Sequence, residues 1–547
     1  MKTLFCLLIA FHAIGNAATR AEEGALSAYL KTAFPSKITL VSVDKDLIRI
    51  SGTIAEPATD VALADIPMDV VLDDPRERET LIDVKPAADA SFQITLPRHR
   101  QRGGRDYDRL VSRWRIVRKN GEALSHARYA DDVQCAHPQL PPMEPRSKKG
   151  LGGWHLGPPG DDLADLGISA VTVNVMIHSL VSLHPDPDTE PFVWQGRTFH
   201  ARKTALADFD ATFLEATKHK VVVSAILLVP NPAKNSDPLI KRLGHPDATP
   251  EGIFAMPNVT DEEGIALYGA ILNLMAERWS RPDGKYGRVH HWILHNEVDA
   301  GRVWTNAGSP PDIVFMDLYQ RSMRLMGLIA ATHDPNARPF ISLTHHWAKP
   351  GEPGFYGSKR MLDLLAACGR AEGDFPWALA FHPYPQDLFN PRTWEDQQAS
   401  FTFQTDKITP RNLEVLDAYM KQEAFLYQGK VRPVHLSENG FNSKDYSPER
   451  LEEQAAGMAF AWKKIQPLGS IRVWHYHNWI DNRGEGGLRI GLRKFPDEPG
   501  DPFGKKPIWQ LYQSLGTPGE TSAAAPYLKT IGISTWDQVI HRNFLRK

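Results

Sequence analysis

The chain has 547 residues, 42% of them hydrophobic and 23% charged, with a formal net charge of −2. Such a balance is ordinary for a globular protein, and the length calls for at least two domains. With charge near zero and no long basic run, nucleic acid and anionic membrane surfaces are excluded as expected partners.

In chain order, the first feature is a targeting segment. Met1-Lys2 is a short positive start, Thr3 to Ile14 is apolar, and Gly15-Asn16-Ala17-Ala18 supplies small residues for cleavage. Residues 1–21 therefore read as a signal peptide, and the mature chain is expected to be secreted or periplasmic. The apolar part is too short to span a bilayer, and no other segment is long and apolar enough to do so. Cys6 falls within this segment; Cys135 and Cys368 either form one disulfide or stay free, and two cysteines make no framework.

Residues 36–136 alternate like short strands, in the runs Ile38–Ile54, Val61–Leu72, Ser91–Pro97 and Leu110–Leu124. Turn residues separate them, Lys119-Asn120-Gly121 among them, and the pattern predicts a small β-sandwich. A Pro-rich, charged stretch from Ala136 to Lys149 reads as a linker. From about residue 148 the pattern becomes apolar runs alternating with helical periodicity. Eight runs follow: Lys149–Gly153, Ala170–Ile177, Val221–Val229, His291–His295, Pro339–Thr344, Ala378–His382, Pro433–Ser437 and Ile471–Tyr476. Helical stretches include Asp261–Trp279, Asp312–Thr332, Ser358–Ala367, Pro410–Phe425, Pro448–Ile465 and Ile508–Leu515. Near-continuous apolar strands alternating with helices argue for a parallel sheet. Eight units predict an α/β fold, a (β/α)8 barrel over residues 148–520, followed by a C-terminal extension over 521–547. Insertions lie at Ser182–Arg202, a predicted hairpin turning at Gln195-Gly196, and at Pro230–Asn258.

In such a barrel the site lies at the C-terminal ends of the strands. The polar residues there are Asn174 on the second strand, His295-Asn296-Glu297 on the fourth and His345-His346 on the fifth. His382-Pro383-Tyr384 end the sixth, Ser437-Glu438-Asn439 the seventh, and Trp474, His475 and Trp479 lie on or after the eighth. Two carboxylates in one mouth suit glycosidic cleavage, in which one group gives a proton to the leaving oxygen and the other attacks the anomeric carbon or holds a water. The histidines serve either as sugar contacts or as packing. Adjacent residues on a strand face opposite ways, so the tandem pairs His290-His291 and His345-His346 cannot both face one ion. No H-E-x-x-H or G-x-S-x-G occurs. No metal and no cofactor are expected.

These residues resemble clan A of the glycoside hydrolases, retaining enzymes on (β/α)8 barrels. The likeness is carried by WILHNEV (Trp292 to Val298) on strand four and HLSENGF (His435 to Phe441) on strand seven. It implies Glu297 as acid/base, Glu438 as nucleophile, Asn296 as a partner of the sugar 2-hydroxyl, and a carbohydrate as substrate. It further implies His382 and Tyr384 beside the carboxylates and Trp474 as an aromatic floor for the sugar. No arginine near Glu438 matches the one that many clan members keep. HHWILHNEVDAGRVWTNAG (His290 to Gly308) and VTVNVMIHSLVSL (Val171 to Leu183) also resemble a bacterial domain family of unknown function. Asp299 is expected to pair with Arg302, and Trp304 and Trp347, if exposed, to serve as sugar platforms. A non-catalytic carbohydrate-binding barrel and a metal-dependent hydrolase or lyase remain as alternatives.

Overall fold

The computed structural model describes residues 20–545, apart from 56–59, 73, 75 and 77–79. The expected signal segment, residues 1–21, lies outside the described residues except for its last two positions, which belong to a helix over residues 20–31.

Eight parallel strands close into a barrel. They are β1 (Lys149–Leu151), β2 (Ala170–Met176), β3 (Val222–Leu228), β4 (His291–Leu294), β5 (Arg338–Thr344), β6 (Ala378–His382), β7 (Val434–Asn439) and β8 (Ile471–Tyr476). Closure is made by β1, which pairs with both β2 and β8. Each strand falls within a residue or two of its sequence expectation, because strands covered on both faces read as apolar runs. The helix over Glu262–Trp279 starts where the sequence places it, with the Asp261 carboxylate accepting from the Gly264 N–H. The expected helix over Pro410–Phe425 is instead broken into a 3-10 turn, a helix over Leu413–Met420 and a second 3-10 turn. The long helix Lys203–Lys218, between β2 and β3, escaped the sequence reading. The Ser182–Arg202 insertion does form a hairpin, with Gln195 and Gly196 both at positive φ, the signature of a tight two-residue turn. Among the described residues no helix is long and apolar enough to cross a membrane.

Residues before the barrel form a four-stranded sheet, a three-stranded sheet and a two-stranded ribbon of His99–Arg102 and Arg105–Asp108. The expected single run Ile38–Ile54 is two strands, Lys37–Val43 and Leu47–Thr53. Val41, Ile48, Ile50, Leu63, Phe92, Trp114 and Ile116 are buried between the sheets in one core. These sheets are keyed to the barrel by buried polar contacts on the helix Asp312–Ala331. Arg321 donates to the carbonyls of Met68 and Val259 at 3.1 Å each. Glu372 accepts from Tyr29 at 3.0 Å and from Gln320 at 2.7 Å. Cys135 and Cys368 are free thiols.

The barrel interior is partly polar. His291, His435 and His475 turn inward around Phe340, with ring centroids 5.3 Å apart for His291–His435 and 5.8 Å for His435–His475. Burial drives His291 and His475 down to about 3 and holds His435 well below its ordinary value. All three are neutral in the fold and take up protons on unfolding. Their stabilising contribution is complete above about pH 6.5 and is lost as pH falls toward the folded values. Urea unfolding is expected to lose stability as pH falls below about 6.5, with a slope that approaches about 1.4 kcal/mol per pH unit for each such histidine by about pH 5; a flat profile would contradict the neutral layer. Arg321→Met should cost about 3 kcal/mol, since it strips two buried carbonyls of their donor and Asp317 of its ion-pair partner. The same unfolding experiment checks it.

Candidate active site

Two local irregularities aim the carboxylates into the mouth. Glu297 follows β4 at φ +41, in the left-handed region that a β-carbon disfavours. Strained backbone of this kind persists where surrounding contacts over-determine it. Here the Glu297 N–H donates to Ser342 Oγ on β5 at 3.1 Å. On β7 the register slips between Leu436 and Asn439, a bulge that turns Glu438 inward.

One oxygen of each carboxylate and one ring nitrogen of His382 all lie within 4.8 Å of one another. His382 Nδ1 stands 3.0 Å from Glu297 Oε1 and 3.6 Å from Glu438 Oε2. Burial favours the neutral ring, but the charges of Glu438 and Glu297 outweigh it and hold His382 above its ordinary value. Tyr384 Oη approaches Glu438 Oε2 at 3.5 Å. Among the described residues this trio is the one group of three such donors near enough to share an ion. The shift of His382 toward its charged form fits a proton between the carboxylates.

The trio lies in a cleft of about 730 Å³ that also takes in Asn174, Asn296, His345, His346 and Tyr384. The carboxamide oxygen of Asn296 is buried without a protein partner, and so is free to accept from a bound hydroxyl. His345 Nδ1 lies 3.2 Å from the Tyr384 carbonyl, and burial keeps the ring neutral. Phe254, Trp304, Phe355 and Phe389 add aromatic surface to the walls, and Phe389 is 60% exposed.

Other expected site residues lie elsewhere. Trp474 is fully buried and faces outward, packed on Trp462 and Tyr512, with its indole N–H donating to Asn439 Oδ1 at 2.8 Å. Alternation along β8 explains this: Val473 and His475 point into the barrel, so Trp474 cannot. His475 belongs to the internal histidine layer below the mouth. Trp479 is 2% exposed, donates to Asp162 Oδ2 at 2.7 Å, and edges a neighbouring cavity. Trp347 is buried and donates to the Phe403 carbonyl, so it offers no platform. Asp299 does not pair with Arg302, which meets Glu352 at 3.4 Å. The carboxylate of Asp299 instead accepts from the Thr344 N–H at 2.8 Å and from Ser358 Oγ at 2.9 Å, and burial pushes it up to about 6. The sequence reading missed His477 and Glu485, which line the cleft beyond the end of β8. Their spacing carries no strand or helix signature.

Asp299 ties the turn after β4 to the end of β5, and so anchors the strained segment that presents Glu297. Asp299→Ala is expected to lower stability by about 2–3 kcal/mol, by leaving buried donors unsatisfied. Thermal and urea unfolding measure this, and unchanged stability would remove Asp299 from that role.

No curated protein matches the chain. Among solved structures it is similar to a family 39 glycoside hydrolase from Bacteroides cellulosilyticus WH2, at 13% identity and TM-score 0.42, over 89% of this chain and 83% of that one. A β-glucosidase from Thermotoga maritima in complex with glucoimidazole is similar at 14% identity and TM-score 0.39, over 64% and 84%. The exo-β-1,4-mannosidase Op5Man5 from Opitutaceae bacterium strain TAV5 is similar at 15% identity and TM-score 0.39, over 72% and 61%. At such identity and overlap, these likenesses carry no residue roles across. Residues 141–539 match a family of unknown function, DUF5722, and the chain belongs to that family.

Proposed function

We propose that the protein is a retaining glycoside hydrolase that acts on a poly- or oligosaccharide outside the cytoplasm, with Glu297 as acid/base and Glu438 as nucleophile. One observation carries the reading: two carboxylates, from the ends of β4 and β7, bring oxygens within 4.8 Å of each other in an open cleft. Retaining enzymes hold their two carboxyl groups about 5–5.5 Å apart, whereas inverting enzymes leave about 6.5–9.5 Å for a water. The short separation favours direct attack.

Glu438 attacks the anomeric carbon and forms a glycosyl ester as the bond to the leaving oxygen breaks. Glu297 gives its proton to that oxygen. Glu297, now ionised, then takes a proton from water, whose oxygen displaces Glu438 from the anomeric carbon. His382 can hydrogen-bond either carboxylate as charge moves between them. Asn296 offers its free carboxamide oxygen to a sugar hydroxyl. A metal-dependent reaction would need the same three donor atoms for an ion.

Purified wild type, Glu438→Ala and Glu297→Ala are to be screened against polysaccharides and aryl glycosides. Both variants are expected to lose about 10³-fold or more in kcat on natural glycosides. Glu297→Ala should lose far less on an aryl glycoside whose leaving group needs no proton. Proton NMR of the first-formed sugar should show retained configuration. Full activity in Glu438→Ala would sink the assignment. Loss of activity in chelator, restored by added metal, would replace it with the metal-dependent reading.

A further inference from the structure

Trp347, Trp474 and Trp479 each use the indole N–H inside the protein. Trp304 does not. It is half-buried on the wall of the cleft, and among the described residues its indole N–H meets no acceptor. Its ring stands beside that of Phe254, with centroids 6.0 Å apart and planes inclined by 36°. Backbone bonds hold the two rings together. The N–H groups of Ile253 and Phe254 both donate to the Val303 carbonyl, at 2.7 and 3.2 Å, and the Asn306 N–H donates to the Phe254 carbonyl at 3.1 Å. Buried Asn306 also donates through Nδ2 to the Arg302 carbonyl at 2.6 Å and to Thr249 Oγ1 at 3.0 Å. The pair is tied to the acid/base as well. Trp304 ends the helix Gly301–Trp304 that follows the Glu297 turn, and Thr305 Oγ1 donates to the Asn296 carbonyl at 2.7 Å.

Barrel order decides which side of the scissile bond this wall serves. Glu297 and Glu438 close β4 and β7, which are not neighbours in the ring of eight strands, so the two residues stand in different sectors of the mouth. The acid must stand beside the leaving oxygen, and the nucleophile beside the anomeric carbon. Phe254, Trp304 and Phe355 come from the loops after β3, β4 and β5, which is the sector of the acid. The sector of Glu438 carries aliphatic groups instead, Leu488 and Ile490 beyond β8, and Phe389 after β6 lies between the two. A flat indole face suits the flat C–H face of a pyranose, and its free N–H gives a donor to a hydroxyl at the edge of the sugar ring.

We propose that Trp304, backed by Phe254, determines specificity on the leaving side: it binds the sugar unit that departs, so that the bond cleaved joins two sugars. The proposal rests on the reading of Glu297 as acid/base and Glu438 as nucleophile.

Glycosyl fluorides test this, because fluoride leaves the departing-sugar position empty. The full chain and its Trp304→Ala and Trp304→Tyr variants are assayed on an oligosaccharide that the wild type cleaves, and on the fluoride of the sugar it releases, in the anomeric configuration of the cleaved bond. Trp304→Ala should lose about tenfold or more in kcat/KM on the oligosaccharide and less than about threefold on the fluoride. Trp304→Tyr should recover most of the loss, since it restores a flat ring. Phe254→Ala should show the same split at smaller size, and it carries the test if Trp304→Ala does not fold. A second readout uses the fluoride as donor. Glu438 takes the sugar as an ester, and hydrogen fluoride departs with the Glu297 proton. Added oligosaccharide then competes with water: its hydroxyl oxygen bonds to the anomeric carbon as the ester bond breaks, and its proton goes to Glu297. The acceptor concentration for half-maximal transfer should rise about tenfold in Trp304→Ala. Equal losses on both substrates, or a raised KM for the fluoride with transfer unchanged, would overturn the proposal and leave Trp304 as a packing residue or a contact on the other side of the bond. A wild type that cleaves no glycoside, or full activity in Glu438→Ala, brings down the glycosidase reading first. A split that is absent in an enzyme that does cleave brings down the Trp304 proposal alone.

Discussion

Two carboxylates with oxygens under 5 Å apart, half-buried at the mouth of a barrel, repel each other strongly unless something positive stands between them. Burial opposes a proton on His382 and the two glutamates draw one there, and the rest of the mouth keeps its ring against both. Its ring is 1% exposed, its Nε2 lies 3.3 Å from Ser342 Oγ, and that same hydroxyl accepts the Glu297 N–H. One serine therefore contacts both the imidazole and the backbone of Glu297. Replacing any of the three groups changes what the other two must tolerate, so they behave as a unit.

Much of the fold could be read from the chain. Ala378–His382 and Ile471–Tyr476 match their strands, because buried parallel strands are apolar from end to end and helices break the pattern between them. Glu297 and Glu438 were legible for the complementary reason: a carboxylate at the end of an apolar strand has few structural duties. The errors share one source, which is facing. Whether Trp474 or its neighbours point inward depends on the phase of β8, and composition does not carry that phase. Asp299 was misread because its true partners, the Thr344 N–H and Ser358, are close only once β4 and β5 are paired. Trp347, a platform only if exposed, and Trp479, expected at the mouth, each have the indole N–H satisfied inside the protein. His477 and Glu485 were silent in sequence because they belong to a loop, where no period marks a residue that matters.

The polar barrel interior and the mouth follow opposite electrostatic rules within a short distance. Below, His435 and His475 are fully buried and His291 partly so, and among the described residues no carboxylate stands by to charge them, so they stay neutral. Above, His382 and His477 are as deeply buried but face glutamates, so they lean toward the charged form. Burial alone does not decide the state of a histidine here; the nearest carboxylate does.

The helix Asp312–Ala331 touches both ends of this molecule. On one face Arg321 grips backbone from the N-terminal sheets and from the loop ahead of Glu262. On another, Tyr319 donates to the Leu294 carbonyl and Ser322 meets the His295 ring at 3.0 Å, directly behind the turn that presents Glu297. The two parts are thus not interchangeable modules. A lineage that shed or swapped the N-terminal sheets would inherit an uncovered guanidinium on the helix that backs its acid/base. Descent should therefore keep the two together, and grafting this barrel onto a foreign partner would require rewriting that helix first.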